Sequence, residues 1–407
     1  MLTLAWRNLW RQRRRSLVTA GALALVVMLT LIYYGIAGAS VNSFYQNVTE
    51  TSGHIHVNPQ GYRDTREFDR RLIRHADALR GVLHTEAPEA LTVGVLEVPG
   101  LLSGDVRSRG ILLVGRDWPE PLREAYLSDN LSAGRFIEAG ELDAIVLGEA
   151  LAQALGVDLG DAVYAYTPGT EGFGAAAYTV VGLISLLDST AEVQTAHISL
   201  AAAQELAAPE SVTRFELYYP ELRRLVDDTL ATETSSRLAA TLTGYQVESW
   251  RELDPMLLEL VNSIGPLTLV VTAIFFILAG LLVVNTIYLS LMERIREFGV
   301  IISLGASGRK VMRMITLESV LICLLGATVG LIVGLLIVAQ LSQGFVFPGL
   351  EAYYASFGMN PVFYATVSPA QVVTAFSFAV VTGILAALWP ASIAARLEPV
   401  EAMRFTA

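Results

Sequence analysis

"GPLTLVVTAIFFILAGLLVVNTIYLSLM", residues 265–292, runs directly into "ERIREFGVIISLGASGRK", residues 293–310. The first stretch has no acid or base and exceeds the ~20 apolar residues that a helix needs to cross a bilayer core. The second is an island with ions at both ends and "GASG" near its close. After it, "TLESVLICLLGATVGLIVGLLIVAQL", residues 316–341, resumes the apolar character. A link that only reversed the chain needs no such pattern. The reading is therefore two membrane helices joined by a short element with a surface of its own.

Two more apolar runs of spanning length occur, at 17–39 and 368–390. Across all four runs Glu318 is the only acid or base. Basic residues flank the runs unevenly. Arg7, Arg11, Arg13, Arg14 and Arg15 precede the first, Arg294, Arg296, Arg309, Lys310 and Arg313 sit between the second and third, and Arg396 and Arg404 follow the fourth. Residues 342–367 hold no Lys or Arg. Positive charge marks the cytoplasmic side, so both termini and the charged island are expected there, with residues 46–262 outside. The expected division is a basic leading helix at 1–16, spans at 17–45, 263–292, 313–341 and 368–392, and a charged link at 293–312. An interfacial loop at 342–367, rich in Tyr and Phe, and a tail at 393–407 complete it. "AGA" at residues 37–39 has the form of a signal-peptidase site, but the run before it is long for a signal core of ~7–15 residues, so a retained span is expected.

Composition agrees. The chain is 53% hydrophobic and 16% charged, with mean hydropathy +0.50, against about 25% charged in a soluble domain. Its net charge of −11 argues against a nucleic-acid partner, which would select clustered cations. The single cysteine, Cys323, excludes an intrachain disulfide.

Residues 46–262 read as an α+β domain. "HIHV" (54–57), "ALTVGVLEV" (90–98), "GILLVG" (110–115), "RFELYY" (214–219) and "YQVES" (245–249) carry strand signals. Phe68, Leu72, Ala76, Leu79 and Leu83 recur at helical spacing, and Leu222, Val226 and Leu230 suggest a second amphipathic helix. Between these halves, residues 125–208 read as a strand-rich second subdomain, with a turn at Gly156 and a glycine-rich hairpin tip at 167–177. His54 and His56 share a strand face as metal ligands would, but no third ligand is visible and a structural role is expected. No catalytic motif is present.

Energy for any work must come from elsewhere. A P-loop needs Gly-x-x-x-x-Gly-Lys-Ser/Thr, whereas the only lysine, Lys310, is followed by Val311. Gly326, Gly330 and Gly334, four apart, allow close helix approach, either within the chain or between subunits.

At this point the residues resemble a known family, the FtsX-like permeases of ABC transporters, which include MacB and LolC/LolE types. "LAWRNLWRQRRRSLVT" is similar to the family's arginine-rich leading helix, "REFGVIISLGAS" to its coupling segment, and "WPASIAARLEPVEAMR" to its tail. "LESVLICLLGATVG" matches the start of the third span. "GHIHVNPQGY", "VLGEALAQALGVDLGD" and "YTVVGLI" resemble landmarks of the lipoprotein-releasing LolC/LolE branch. Where relatives commonly carry a basic residue four positions before the coupling glycine, this chain has Ile301, Ile302 and Ser303 ahead of Leu304 and Gly305.

The resemblance implies an inner-membrane permease of a bacterium, without cofactor on this chain. A cytoplasmic ABC ATPase would bind ATP and Mg, and a second permease, alike or related, would complete a dimer. Contact with the ATPase is expected from Arg294, Arg296, Glu297, Phe298, Gly299, Val300, Leu304, Gly305 and Ala306. Phe298, Val300 and Leu304 would offer the apolar contacts, and Gly305 and Gly308 would turn the chain. A lipid or lipoprotein client is expected near Val27 and Phe276. The alternatives are efflux of small molecules or peptides through an adaptor, and signalling to a cell-wall hydrolase without transport.

Overall fold

The computed structural model describes residues 13–395 apart from 66, 124–130, 186–192, 223–227, 254, 305, 352 and 354–360. In chain order, helix α1 (Arg13–Ser52) is followed by β1 (Ile55–Pro59), α2 (Ala76–Glu86), β2 (Leu91–Ser103), β3 (Ser108–Arg116) and β4 (Leu131–Gly134). Next come β5 (Ala144–Gly148), α3 (Glu149–Leu155), β6 (Ala162–Gly169), β7 (Gly172–Ile184), β8 (Thr195–Ser199) and α4 (Leu200–Ala207). Then follow β9 (Arg214–Tyr218), α5 (Thr229–Thr241), β10 (Tyr245–Ser249) and α6 (Trp250–Leu253). The rest is helical apart from a short strand pair: α7 (Pro255–Glu293), α8 (Ile295–Ser303), α9 (Gly308–Leu341) and α10 (Pro369–Ala395).

Contacts divide the chain into two units, one of Met1–Val41, Leu260–Phe345 and Val362–Ala407, the other of Asn42–Glu259 and Val346–Pro361. In the first, four helices are long and apolar enough to cross a membrane: Arg13–Ser52, Val261–Glu293, Gly308–Leu341 and Pro369–Ala395. The protein is therefore a membrane α-helical chain bearing an α+β domain.

Small residues bring these helices together. A Cβ on Gly326 would lie 2.6 Å from the Ala20 carbonyl oxygen, one on Gly330 2.5 Å from that of Ala24, and one on Gly334 2.8 Å from the Leu31 side chain. The glycine row thus seats α9 on α1, within the chain. Nearer the start of α9, the Ser319 hydroxyl donates to the Gly383 carbonyl at 3.0 Å, and a Cβ on Gly383 would meet the Cys323 sulfur at 2.5 Å. Helix α7 joins α1 through the Thr272 hydroxyl, 3.0 Å from the Tyr34 hydroxyl.

The second unit is built on one ten-stranded sheet, ordered β10-β1-β9-β2-β3-β8-β5-β7-β4. β6 pairs with both β7 and β2, the latter over Leu101–Ser103. These pairings close β2, β3, β8, β5, β7 and β6 into a ring, which leaves no open edge among those strands. Of the remaining four strands, β9, β1 and β10 extend from β2 as an open lobe and β4 pairs with β7. One apolar cluster, including Ile55, Leu96, Leu113, Leu147, Val163 and Phe215, fills the interior. Gly156 ends α3 at φ 76°, and its N–H donates to Ala152, the left-handed cap that glycine adopts at least cost.

Two helix expectations are corrected. The periodicity from Phe68 to Leu83 is not one helix: a 3-10 turn covers Phe68–Arg71, and Ile73 then exchanges backbone hydrogen bonds with Val212 at 2.7 and 3.1 Å. His75, at φ 56°, precedes the true helix, α2. The second amphipathic helix begins only at Thr229 and buries Ala231, Thr234, Ser235 and Leu238. Leu222 precedes it, Leu230 is exposed, and Val226 lies outside the described residues.

Candidate functional site

The charged link folds as a nine-residue helix, α8, set between two membrane helices. Ile295, Phe298 and Gly299 are buried and Ile302 is half-buried, the i, i+3, i+4, i+7 pattern of a one-faced helix. Glu297 stands in the first turn, where the helix dipole favours an acid. The outward face carries Arg296, Val300, Ile301 and Leu304, and Leu304 is 82% exposed. Ala306 is half-buried, its N–H donating to Ile301, and Gly305 lies outside the described residues.

This arrangement alters two expectations, those for Phe298 and Gly308. Phe298 is 1% exposed in the cluster that holds Val283, Leu291 and Ile315, so it anchors α8 to its own chain and offers no contact surface. Val300 and Leu304 are exposed, joined by Ile301, which the family pattern had not singled out. Gly308 opens α9 behind the N-cap residue Ser307. Its lack of a side chain serves contact more than turning, because a Cβ there would lie 2.3 Å from the Ala395 carbonyl oxygen.

Between α8 and the long helices lies a joint of paired charges. Arg294, at the break between α7 and α8, reaches Glu318 of α9 at 3.2 Å and Glu297 at 3.3 Å. Its guanidinium also sits 5.1 Å from the centroid of the Phe298 ring. The Arg294 and Glu318 side chains are 12% and 13% exposed. Arg15 of α1 pairs with Glu293 at the end of α7 at 2.9 Å and also donates to the Thr286 carbonyl. Arg15, Arg294 and Glu318 line a cleft of about 40 Å³ with Ser16, Thr19, Ser290 and Ser319. Ionisable groups at the margin of a membrane helix are costly unless paired, and here each acid has its base. Sequence reasoning noted Glu318 and Arg294 separately but missed that they meet. The signal was the lone acid in an apolar run, which requires a counter-ion.

Val27 and Phe276, expected to line a cargo cavity, are corrected as well. They are 0% and 2% exposed and belong to the same packed cluster, so both are packing residues.

Among the described residues, His54 and His56 of the second unit belong to no group of three ligand-type side chains. The Tyr219 N–H donates to His54 Nδ1 at 3.2 Å, and His56 contacts the Ser52 carbonyl. Burial lowers both to about 4, so both are neutral near pH 7. Around His56 lies a buried charge network. Arg214 reaches Glu97 at 2.7 Å and Glu216 at 2.8 Å, and Arg116 reaches Glu216 at 3.5 Å. Burial pushes Glu216 up, but Arg116 and Arg214 outweigh it and hold the carboxyl at about 2.

Comparison with known proteins places this geometry. Residues 269–399 match the FtsX-like permease C-terminal model. The macrolide export ATP-binding/permease protein MacB of Wolinella succinogenes is 30% identical over 174 residues, 42% of this chain and 24% of that protein. The protein of the same name from Escherichia coli K12 is 36% identical over 133 residues, 33% of this chain and 18% of that protein. The chain thus spans at most about a quarter of the length of these relatives. Among solved structures, the extracellular domain of the noncanonic ABC-type transporter YknZ from Gram-positive bacteria aligns with 48% of this chain and 98% of its own, at TM-score 0.33 and 11% identity. The residues matched by the FtsX-like permease C-terminal model take in α8, α9 and α10 and most of α7.

Proposed function

We propose that this chain is the permease subunit of an ABC transporter, and that α8 is where a separate cytoplasmic ATPase docks. The observation that carries this reading is the division of α8 into two faces. One face, through Ile295 and Phe298, is locked into the helix cluster. The other presents Val300, Ile301 and Leu304 beside Arg296. A helix anchored on one side and apolar on the other can receive a push and pass it on. Arg294 hands that push to α9 through Glu318, and Arg15 with Glu293 ties α1 to α7. The FtsX-like match over residues 269–399 and the names of the relatives support the reading.

In this reading the basic flanks lie in the cytoplasm and the sheet domain lies outside an inner membrane, with a second permease completing the assembly. The cargo is an amphiphile. Relatives named for macrolide export favour efflux of a small molecule, while extraction of a lipid or lipoprotein rests on the outer-domain resemblance to LolC/LolE alone. The test is Leu304→Asp combined with Val300→Asp, both at exposed positions. Copurification with the ATPase should fall at least about tenfold, since each change sets a charge in an apolar contact, with membrane insertion unchanged. Wild-type copurification and transport would leave α8 a connecting element.

A further inference from the structure

A cleft of about 410 Å³ opens in the sheet domain between the start of α2, the end of β3, residues 136–140 and the start of α4. Its size falls within the ~300–1,000 Å³ of small-molecule pockets. Nothing in the docking account uses it. Part of its lining is apolar: Trp118 is half-buried, and Phe136, Ile137 and Leu200 are buried residues that wall it. Such a lining suits hydrocarbon or a ring.

The polar part is sorted by depth. On the inner wall Arg80 pairs with Asp117, which also accepts the Gly94 N–H. Arg116 stands beside them with its guanidinium 5.3 Å from the Trp118 ring centroid. Half-buried Arg123 adds a further positive charge and forms no ion pair among the described residues. Leu200 and Ala201 open α4 there, where the helix dipole is positive. The carboxylates of Asp77, Glu138 and Glu210 sit at the mouth, exposed to solvent, where water and salt screen them. Three half-buried arginines, Arg80, Arg116 and Arg123, thus face one half-buried carboxylate, Asp117, while the other acids of the lining are exposed.

From this arrangement we infer that the cleft binds an anionic amphiphile, with its phosphate or carboxylate head toward Arg123 and Arg80 and its apolar body against Trp118 and Phe136. A guanidinium holds such heads through paired N–H donors. The inference stands apart from the docking account: its failure would leave α8 untouched, and a failure of α8 would leave the cleft.

The test is calorimetric titration of the full chain in lipid nanodiscs, with empty nanodiscs subtracted. The probes are hexyl phosphate, inorganic phosphate and hexyltrimethylammonium. Hexyl phosphate should bind saturably and at least about tenfold more tightly than either control. Arg123→Glu should weaken it at least about tenfold. Ala139→Trp, on the exposed rim, should weaken it by filling the cleft, and circular dichroism confirms folding of both variants. Equal binding of inorganic phosphate would reduce the cleft to an anion site and overturn the amphiphile. Tighter binding of the ammonium probe, or binding indifferent to both variants, would overturn the proposal.

Discussion

Arg294 and Glu318 are 24 positions apart in the chain and meet because α7, α8 and α9 fold back on one another. Each was readable alone, one as a basic flank and the other as a stray acid in an apolar run. Their pairing was not, because periodicity reports which face a residue takes within its own element, not which distant charge will face it. A largely buried pair that loses one member leaves an uncompensated charge, at a cost of about 3–5 kcal/mol, whereas removing both is far milder. Arg294→Ala and Glu318→Ala should therefore each lower thermal stability in detergent more than the double variant does. With each single loss at about 3–5 kcal/mol and the double loss smaller than either, the coupling energy should exceed about 3 kcal/mol. Additive losses would mean that the two charges act independently. The glycine row was readable by the same local logic, since four-residue spacing dictates a smooth helix face, while its choice of α1 as partner is a property of the folded chain.

Elements were legible where one rule governed them. Long apolar runs became helices α1, α7, α9 and α10, and alternating or β-branched stretches became β1, β2, β3, β9 and β10. The failure at residues 68–83 has a definite cause: Ile73 is taken by Val212 for a bridge, and that tertiary bond breaks a helix which spacing alone supports. The closing of the strand ring by β6 on β2 is likewise a long-range event with no local mark. The sheet also sets a pH response. Burial lowers His54 and His56 to about 4 and His197 to about 3, against an ordinary value near 6.5. Below pH 6.5 the unfolded chain takes up protons that the folded domain refuses, so stability falls as pH falls from 6.5 toward 4. Glu216, held at about 2, extends the loss from about 4.5 downward, because its carboxylate protonates in the unfolded chain first. Hydrogen exchange across residues 42–259 of the full chain, corrected for intrinsic rate, should show protection decreasing from pH 7 to 4.5. His56→Gln should remove roughly a third of that dependence. Protection that is flat across this range would contradict the buried neutral histidines.

At the scale of the whole molecule the account rests on sidedness and on one docking surface. The proposed sidedness rests on the uneven distribution of arginines, a property of composition that needs no packing to read. A cysteine placed at exposed Glu351 should react with an impermeant maleimide in intact cells, and one at exposed Ser307 only after permeabilisation; the reverse pattern would invert the topology. The segment proposed for docking could be delimited in sequence but not oriented, because the choice of Leu304 over Phe298 as the outward residue depends on which side the helix cluster fills. The most direct measurement is site-specific photo-crosslinking in native membranes, with a diazirine residue at position 304 in one strain and at 298 in another. Position 304 should capture a protein that carries an ATP-binding P-loop, in a yield that changes with nucleotide, while position 298 yields only intrachain products. A P-loop protein captured equally at both positions, or at 298 alone, would contradict the docking of an ATPase on the outward face of α8.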